Sequence, residues 1–146
     1  MTSIRIHDLI SEEARKTGAE GKRVFSSEDM TEKKKVLLVE DEEAIRVFIY
    51  EMLTSDGFEV SCYDNGQSAL NRSKEECFDI VVTDFRMQGT DGVEVARLLR
   101  IRCPDAFLIG ISGENKKRDF LAAGANAFLK KPFAPGHLFT IIKNIK

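Results

Sequence analysis

The sequence predicts an α/β fold in which a five-stranded parallel sheet carries helices on both faces. Three observations predict it: short apolar runs that do not alternate, a helical apolar period after each of them, and glycines or turn formers at the junctions. A strand of uninterrupted apolar residues has to be covered on both sides, and crossover helices do this for a parallel sheet. Right-handed crossovers leave the sheet open, with room for a ligand at the carboxyl ends of the strands.

Val36 to Val39 is the first such run. The helix after it, from Glu42 to Ser55, places Ile45, Phe48, Ile49, Met52 and Leu53 on one stripe, and Gly57 stops it. Glu59 to Tyr63 alternates, with Val60 and Cys62 on one face, which suits an edge strand. A weak helix through Ala69 and Leu70 follows. Ile80 to Val82 is apolar again and runs into Thr83-Asp84; a loop with Gly89 and Gly92 then leads to a helix bearing Val95, Ala96, Leu98 and Leu99. Phe107 to Ile111 forms the fourth strand, Lys116 to Ala123 a short helix ending before Gly124, and Ala127 to Leu129 the fifth strand. The last helix starts near Pro135, where a missing N–H costs nothing, and would bury Leu138, Ile141, Ile142 and Ile145.

Residues 1–34 differ in kind. They are polar, with acidic and basic residues in equal number, and hold only a small apolar patch at Ile4, Ile6, Leu9 and Ile10. Two readings stand for this segment: a disordered extension or loosely docked helix over about Ile4 to Lys16, or an arm that touches a partner or a second copy of the chain. The folded domain is expected over residues 35–146.

A chain of 146 residues with 42% hydrophobic and 32% charged residues suits one globular domain. No apolar run approaches the roughly 20 residues of a membrane helix, and the N-terminus has no secretory core, so the expected location is cytoplasmic with no membrane insertion. The net charge of -2 gives no general attraction to nucleic acid or anionic lipid. Cys62, Cys77 and Cys103 are odd in number and form no C-x-x-C pair, so they are expected to be reduced and to hold no zinc.

The strand ends carry the chemistry. Glu40 and Asp41 follow the first strand, Asp84 the third, Ser112 the fourth and Lys131 the fifth. In a parallel sheet these ends converge on one crevice. Three carboxylates there repel one another, and a divalent cation resolves the conflict; all-oxygen ligands suit Mg²⁺ better than zinc. A lysine beside a hydroxyl next to that metal can hold phosphoryl oxygens. Each residue alone has a plainer account, as a helix start, a turn former, a cap or a surface lysine. Their coincidence on one face does not.

In this order and spacing Leu37-Leu38-Val39-Glu40-Asp41-Glu42, Val81-Val82-Thr83-Asp84-Phe85-Arg86-Met87, Asp91-Gly92, Ile109-Gly110-Ile111-Ser112-Gly113, Gly124-Ala125 and Lys131-Pro132-Phe133 resemble the receiver domain of bacterial response regulators, from about Lys35 to the C-terminus. The resemblance implies a flavodoxin-like (βα)5 sheet of strand order 2-1-3-4-5. It implies that Asp84 accepts a phosphoryl group from a phosphohistidine, and that Glu40, Asp41, Asp84 and the backbone carbonyl of Arg86 hold Mg²⁺. Lys131 would pair with phosphoryl oxygens, its bond to Pro132 would be cis, and Lys130 would point elsewhere. Ser112 and Phe128 would be the hydroxyl and aromatic members of a switch that alters the face built from the fourth helix, fifth strand and fifth helix. Arg86 and Glu114 resemble positions that tune phosphoryl lifetime, and pairing across the site mouth would let them restrict the hydrolytic water.

The implied partners are a sensor histidine kinase or histidine phosphotransfer protein, a downstream protein target and a phosphorylation-dependent homodimer. The chain ends at the fifth helix, so direct DNA binding is not expected; nor is enzymatic turnover beyond self-catalysed phosphotransfer and dephosphorylation. Two departures stand out. Gln88 replaces the proline common after Met87, and the fourth helix is about one turn short. The rival functions are a hydrolase with an aspartyl-phosphate intermediate, which would want an acid where Arg86 stands, and a phosphate-independent scaffold, which leaves the acidic site unexplained. A nucleotide-binding module lacks its glycine-rich loop.

Overall fold

The computed structural model describes residues 33–145. Among these residues the order is β1 (Lys35–Val39), α1 (Glu43–Ser55), β2 (Glu59–Tyr63), α2 (Gly66–Ser73), β3 (Ile80–Asp84), α3 (Gly92–Arg102), β4 (Phe107–Ser112), α4 (Lys117–Ala122), β5 (Ala127–Lys130) and α5 (Pro135–Lys143). The strands pair in parallel in the order β2-β1-β3-β4-β5, as expected. The N-terminal helix suggested over Ile4 to Lys16 lies outside the described residues.

Each strand feeds two cores by alternation, because successive side chains point to opposite faces. Leu37, Val39, Val81 and Leu108 face one side and meet Ala69 and Leu70 of α2, Val95, Ala96 and Leu99 of α3 and Phe120 of α4. Val36, Leu38, Ile80, Val82, Ile109 and Ile111 face the other and meet Ile49 and Leu53 of α1 with Leu138 and Ile142 of α5. The central runs of β1, β3 and β4 are apolar on both sides because both faces are covered. Asn65 and Asp91 cap α2 and α3, accepting from the Ser68 and Glu94 amides at 2.8 Å each.

Four details depart from the sequence reading. Phe48 is 47% exposed and not part of the α1 core stripe, whereas Arg46 is 7% exposed. The stripe on α1 is narrower than its apolar composition suggests, since Phe48 faces the cleft at the strand ends. β2 is an edge strand, yet Ser61 and Tyr63 are buried as well as Val60 and Cys62, because helices cover both sides of it. Ile145 lies past the end of α5 and packs half-buried on the second core.

The fourth detail corrects the cysteine assignment. Cys77 and Cys103 are joined by a disulfide, with Cα atoms 5.6 Å apart, while Cys62 is free and buried. Odd number and spacing could not reveal this, because the pair forms only when the loop before β3 meets the C-terminal end of α3. It sits at the end of the sheet opposite Asp84.

The turn from β3 into α3 depends on a glycine. The Gly92 amide donates to the Phe85 carbonyl at 2.8 Å, and a Cβ on Gly92 would lie 1.7 Å from the backbone oxygen of Asp84. Gly113, in contrast, has open space where its Cβ would stand. Gly92→Ala should therefore cost about 2–3 kcal/mol in urea unfolding through forced backbone displacement, whereas Gly113→Ala should change stability by less than about 0.5 kcal/mol. Equal stabilities for the two variants would contradict this packing.

Candidate functional site

The register places one charged or hydroxyl side chain at the end of four strands. Val39 pairs with Thr83, Asp84 with Ile111 and Ser112 with Lys130, so Glu40, Asp84, Ser112 and Lys131 emerge at the same edge of the sheet. Glu40 is fully buried and Asp84 nearly so. With the exposed Asp41 they form a cluster whose carboxylate oxygens lie within 4.8 Å of one another.

Lys131 is the cation of this cluster. Its Nζ is 2.7 Å from Glu40 Oε1, 3.3 Å from Asp84 Oδ2 and 3.8 Å from Glu42 Oε1. The Lys131–Pro132 bond is cis. Lys130 points away, donating to Asn115 at 2.8 Å. Asp84 Oδ1 accepts from the Phe85 amide at 2.8 Å, leaving Oδ2 toward the lysine and the cleft. Glu40 Oε2 accepts from the Glu42 amide at 3.1 Å.

The electrostatics follow from this crowding. Burial above all, with the Asp84 charge adding to it, pushes the Glu40 carboxyl up to about 8, against the pull of Lys131 and the Glu42 amide. Burial also lifts the Asp84 carboxyl above the usual aspartate range, offset in part by hydrogen bonding to Glu40, by Lys131 and by the Phe85 amide. Burial works against the Lys131 charge, but Glu40 and Asp84 outweigh it and hold its pKa above the ordinary lysine value. Three clustered carboxylates, Glu40, Asp41 and Asp84, thus have one ammonium group beside them, which pairs with Glu40 and Asp84. Their all-oxygen donor set fits a hard divalent cation, which would supply the missing positive charge.

Ser112 is buried, and its Oγ accepts the Glu114 amide at 2.9 Å. A hydroxyl so held can still donate its own proton into the cleft. Arg86 and Glu114 form an ion pair at the rim of the same cleft, as their predicted pairing requires. The cleft, of about 790 Å³, is lined on its acidic side by Asp41, Asp84, Ser112 and Lys131 and on its apolar side by Ile45, Phe48 and Phe133. Phe128 stands away from it on β5, half-buried, its ring centroid 5.8 Å from that of Phe120. α4 has only six residues, in line with the short fourth helix read from the sequence.

One participant was not anticipated. Arg46 turns inward from α1 and donates to the Glu40 and Asp41 carbonyls at 2.9 and 3.3 Å. Its signal in the sequence is a charge between Ile45 and Val47 of an apolar helix, which periodicity alone does not assign to a site.

Residues 36–143 match the family model described as response regulator receiver domain. Among relatives, the response regulator receiver protein CpdR of Brucella abortus is 34% identical over 116 residues, covering 77% of this chain and 94% of that protein. The transcriptional regulatory protein ResD of Bacillus subtilis is 30% identical over 117 residues, covering 79% of this chain but 49% of ResD. The chain thus spans about half the length of that relative. Chemotaxis protein CheY4 of Vibrio cholerae superposes with a TM-score of 0.73 at 28% identity, covering 79% of this chain and all of that one. The receiver domain of sensor histidine kinase PA1611 of Pseudomonas aeruginosa, with a magnesium ion coordinated in its active site cleft, superposes with a TM-score of 0.69 at 26% identity, covering 77% and 96%.

The raised Glu40 pKa gives the fold a pH dependence. Folded Glu40 keeps its proton up to about pH 8, whereas the unfolded chain gives it up near 4.5. Between these values the folded state binds more protons, so stability falls as pH rises. Urea midpoints measured in EDTA should decline from about pH 5.5 to 8, and Glu40→Gln should flatten that decline. The same slope in both proteins would contradict a Glu40 carboxyl whose burial outweighs the pull of Lys131 and the Glu42 amide.

Proposed function

Because the chain belongs to the response regulator receiver domain family, we propose that Asp84 is its phosphoacceptor and that Glu40, Asp41, Asp84 and the Arg86 carbonyl bind Mg²⁺. The observation that supports this most is the convergence of three carboxylates, Glu40, Asp41 and Asp84, at the carboxyl ends of β1 and β3, two of them paired with Lys131 from the end of β5. As a receiver domain it works in two-component signalling by accepting phosphate. The donor in this reading is a histidine kinase or histidine phosphotransfer protein.

The chain's residues divide the work as follows. Asp84 Oδ2, on the open side of the carboxylate, attacks phosphorus; the O–P bond forms as the donor's P–N bond breaks and the imidazole leaves with the electron pair. A divalent cation held by Glu40, Asp41 and Asp84 would supply charge neutralisation at the transferring group. Lys131 Nζ, already 3.3 Å from Asp84 Oδ2, takes one phosphoryl oxygen. Ser112 donates its O–H to another while keeping the Glu114 amide. Movement of the β4–α4 segment that carries Ser112 draws Phe128 inward from its half-buried position, and the face of α4, β5 and α5 shifts population toward a binding form.

The output is binding to a downstream protein, or to a second copy, and the chain turns over nothing but its own acyl phosphate. No helix among the described residues is long and apolar enough to cross a membrane. We place the protein in the cytoplasm, where phosphohistidine donors are found; the Cys77–Cys103 bond weighs against this, since reducing compartments open such bonds. The hydrolase alternative loses ground because Arg86, which stands where its second acid would be, is tied to Glu114.

Incubation with a small-molecule phosphodonor and Mg²⁺ should label the wild-type chain with acid-stable, base-labile phosphate and leave Asp84→Asn unlabelled. Equal labelling of both would overturn the assignment. The Arg86–Glu114 pair is proposed to restrict water at the site mouth. Arg86→Ala should then shorten the acyl-phosphate half-life by about threefold or more, on the order of 0.7 kcal/mol in barrier. An unchanged half-life would remove the pair from the mechanism.

A further inference from the structure

One buried cation, Arg46, has no part in the proposed chemistry. Arg46 is 7% exposed, yet among the described residues no carboxylate is its partner: one terminal nitrogen donates to the Glu40 carbonyl at 2.9 Å and to the Asp41 carbonyl at 3.3 Å. Its Nε has no hydrogen-bond partner among the described residues. A buried guanidinium spent on two backbone oxygens is an expensive way to fill space, since the transfer of the charge out of water is costly.

The oxygens it holds belong to the two acidic residues that follow β1. Fixing the carbonyl of a residue fixes the peptide plane, and so the direction in which its neighbour's Cα–Cβ bond leaves the chain. Two further bonds complete the clamp, Glu42 amide to Glu40 Oε2 at 3.1 Å and Arg46 amide to the Glu42 carbonyl at 2.9 Å. Asp41 is exposed and lies between β1 and α1, outside regular structure, so this clamp is what orients it.

From this geometry we infer that Arg46 is a positioning residue, which aims the Glu40–Asp41 carboxylates at the divalent cation without touching it. The inference rests on the reading of the cluster as a Mg²⁺ site. Its charge alone would have the opposite effect, because a guanidinium near a metal ion repels it. Removal of the charge therefore tightens Mg²⁺ binding if Arg46 acts only through space, and weakens it if Arg46 aims the ligands.

The test is the Mg²⁺ dissociation constant of the full chain by calorimetry, well below the unfolding temperature, for wild type, Arg46→Met, Arg46→Gln and a remote core control, Leu99→Val. Both Arg46 variants should bind Mg²⁺ about tenfold more weakly, the size of effect usual for residues that orient metal ligands, and the control should bind like wild type. If Arg46→Met does not fold, Arg46→Gln decides by the same criterion. Unchanged or tighter binding in the folded variants, or an equal loss in the Leu99→Val control, overturns the positioning role. Absence of Mg²⁺ binding by the wild-type chain would instead sink the metal-site reading on which it rests.

Discussion

Three carboxylates held within 4.8 Å of one another at the mouth of an apolar sheet are the constraint on which the rest of this structure depends. At that separation each like-charged pair repels by roughly 3 kcal/mol at an effective dielectric of about 20. Lys131 offsets part of this, and the proton that Glu40 retains to about pH 8 offsets another part. The remaining demand for positive charge is what, in the proposed function, would make the cleft a receptor for a divalent cation. A phosphoryl group would then be held beside Lys131 and Ser112.

The sheet exists to keep that cluster in place. β1 and β3 are adjacent, so Glu40 and Asp84 emerge side by side, and β4 and β5 bring Ser112 and Lys131 alongside. Both faces of every strand are packed, which leaves the strand ends little freedom to relax away from one another. The close approach of Gly92 to the Asp84 backbone and the reach of Arg46 to the Glu40 and Asp41 carbonyls add local restraint where the chain leaves the sheet.

Much of this was legible in the amino-acid sequence, and the reason is physical. Strands covered on both faces are written as unbroken apolar runs, so Val36 to Val39 and Ile80 to Val82 located the ends at which charged residues converge. Side-chain periodicity says less about α1, where Phe48 is exposed and Arg46 buried, because the helix flanks a cleft and the partners of Arg46 are backbone carbonyls that no pattern marks. The Cys77–Cys103 bond was illegible for a similar reason: its spacing of 26 residues acquires meaning only after the loop before β3 and the end of α3 meet. The Arg86–Glu114 pair was foreseen from family positions, not from spacing.

Phosphorylation chemistry assigned to one carboxylate out of a crowded set is tested most directly by locating the acyl phosphate. After treatment with a small-molecule phosphodonor and Mg²⁺, borohydride reduction converts a phosphorylated aspartate to homoserine, which peptide mass spectrometry can place. The account predicts homoserine at position 84 and nowhere else; reduction at Asp41 or another aspartate, with Asp84 unmodified, would contradict it.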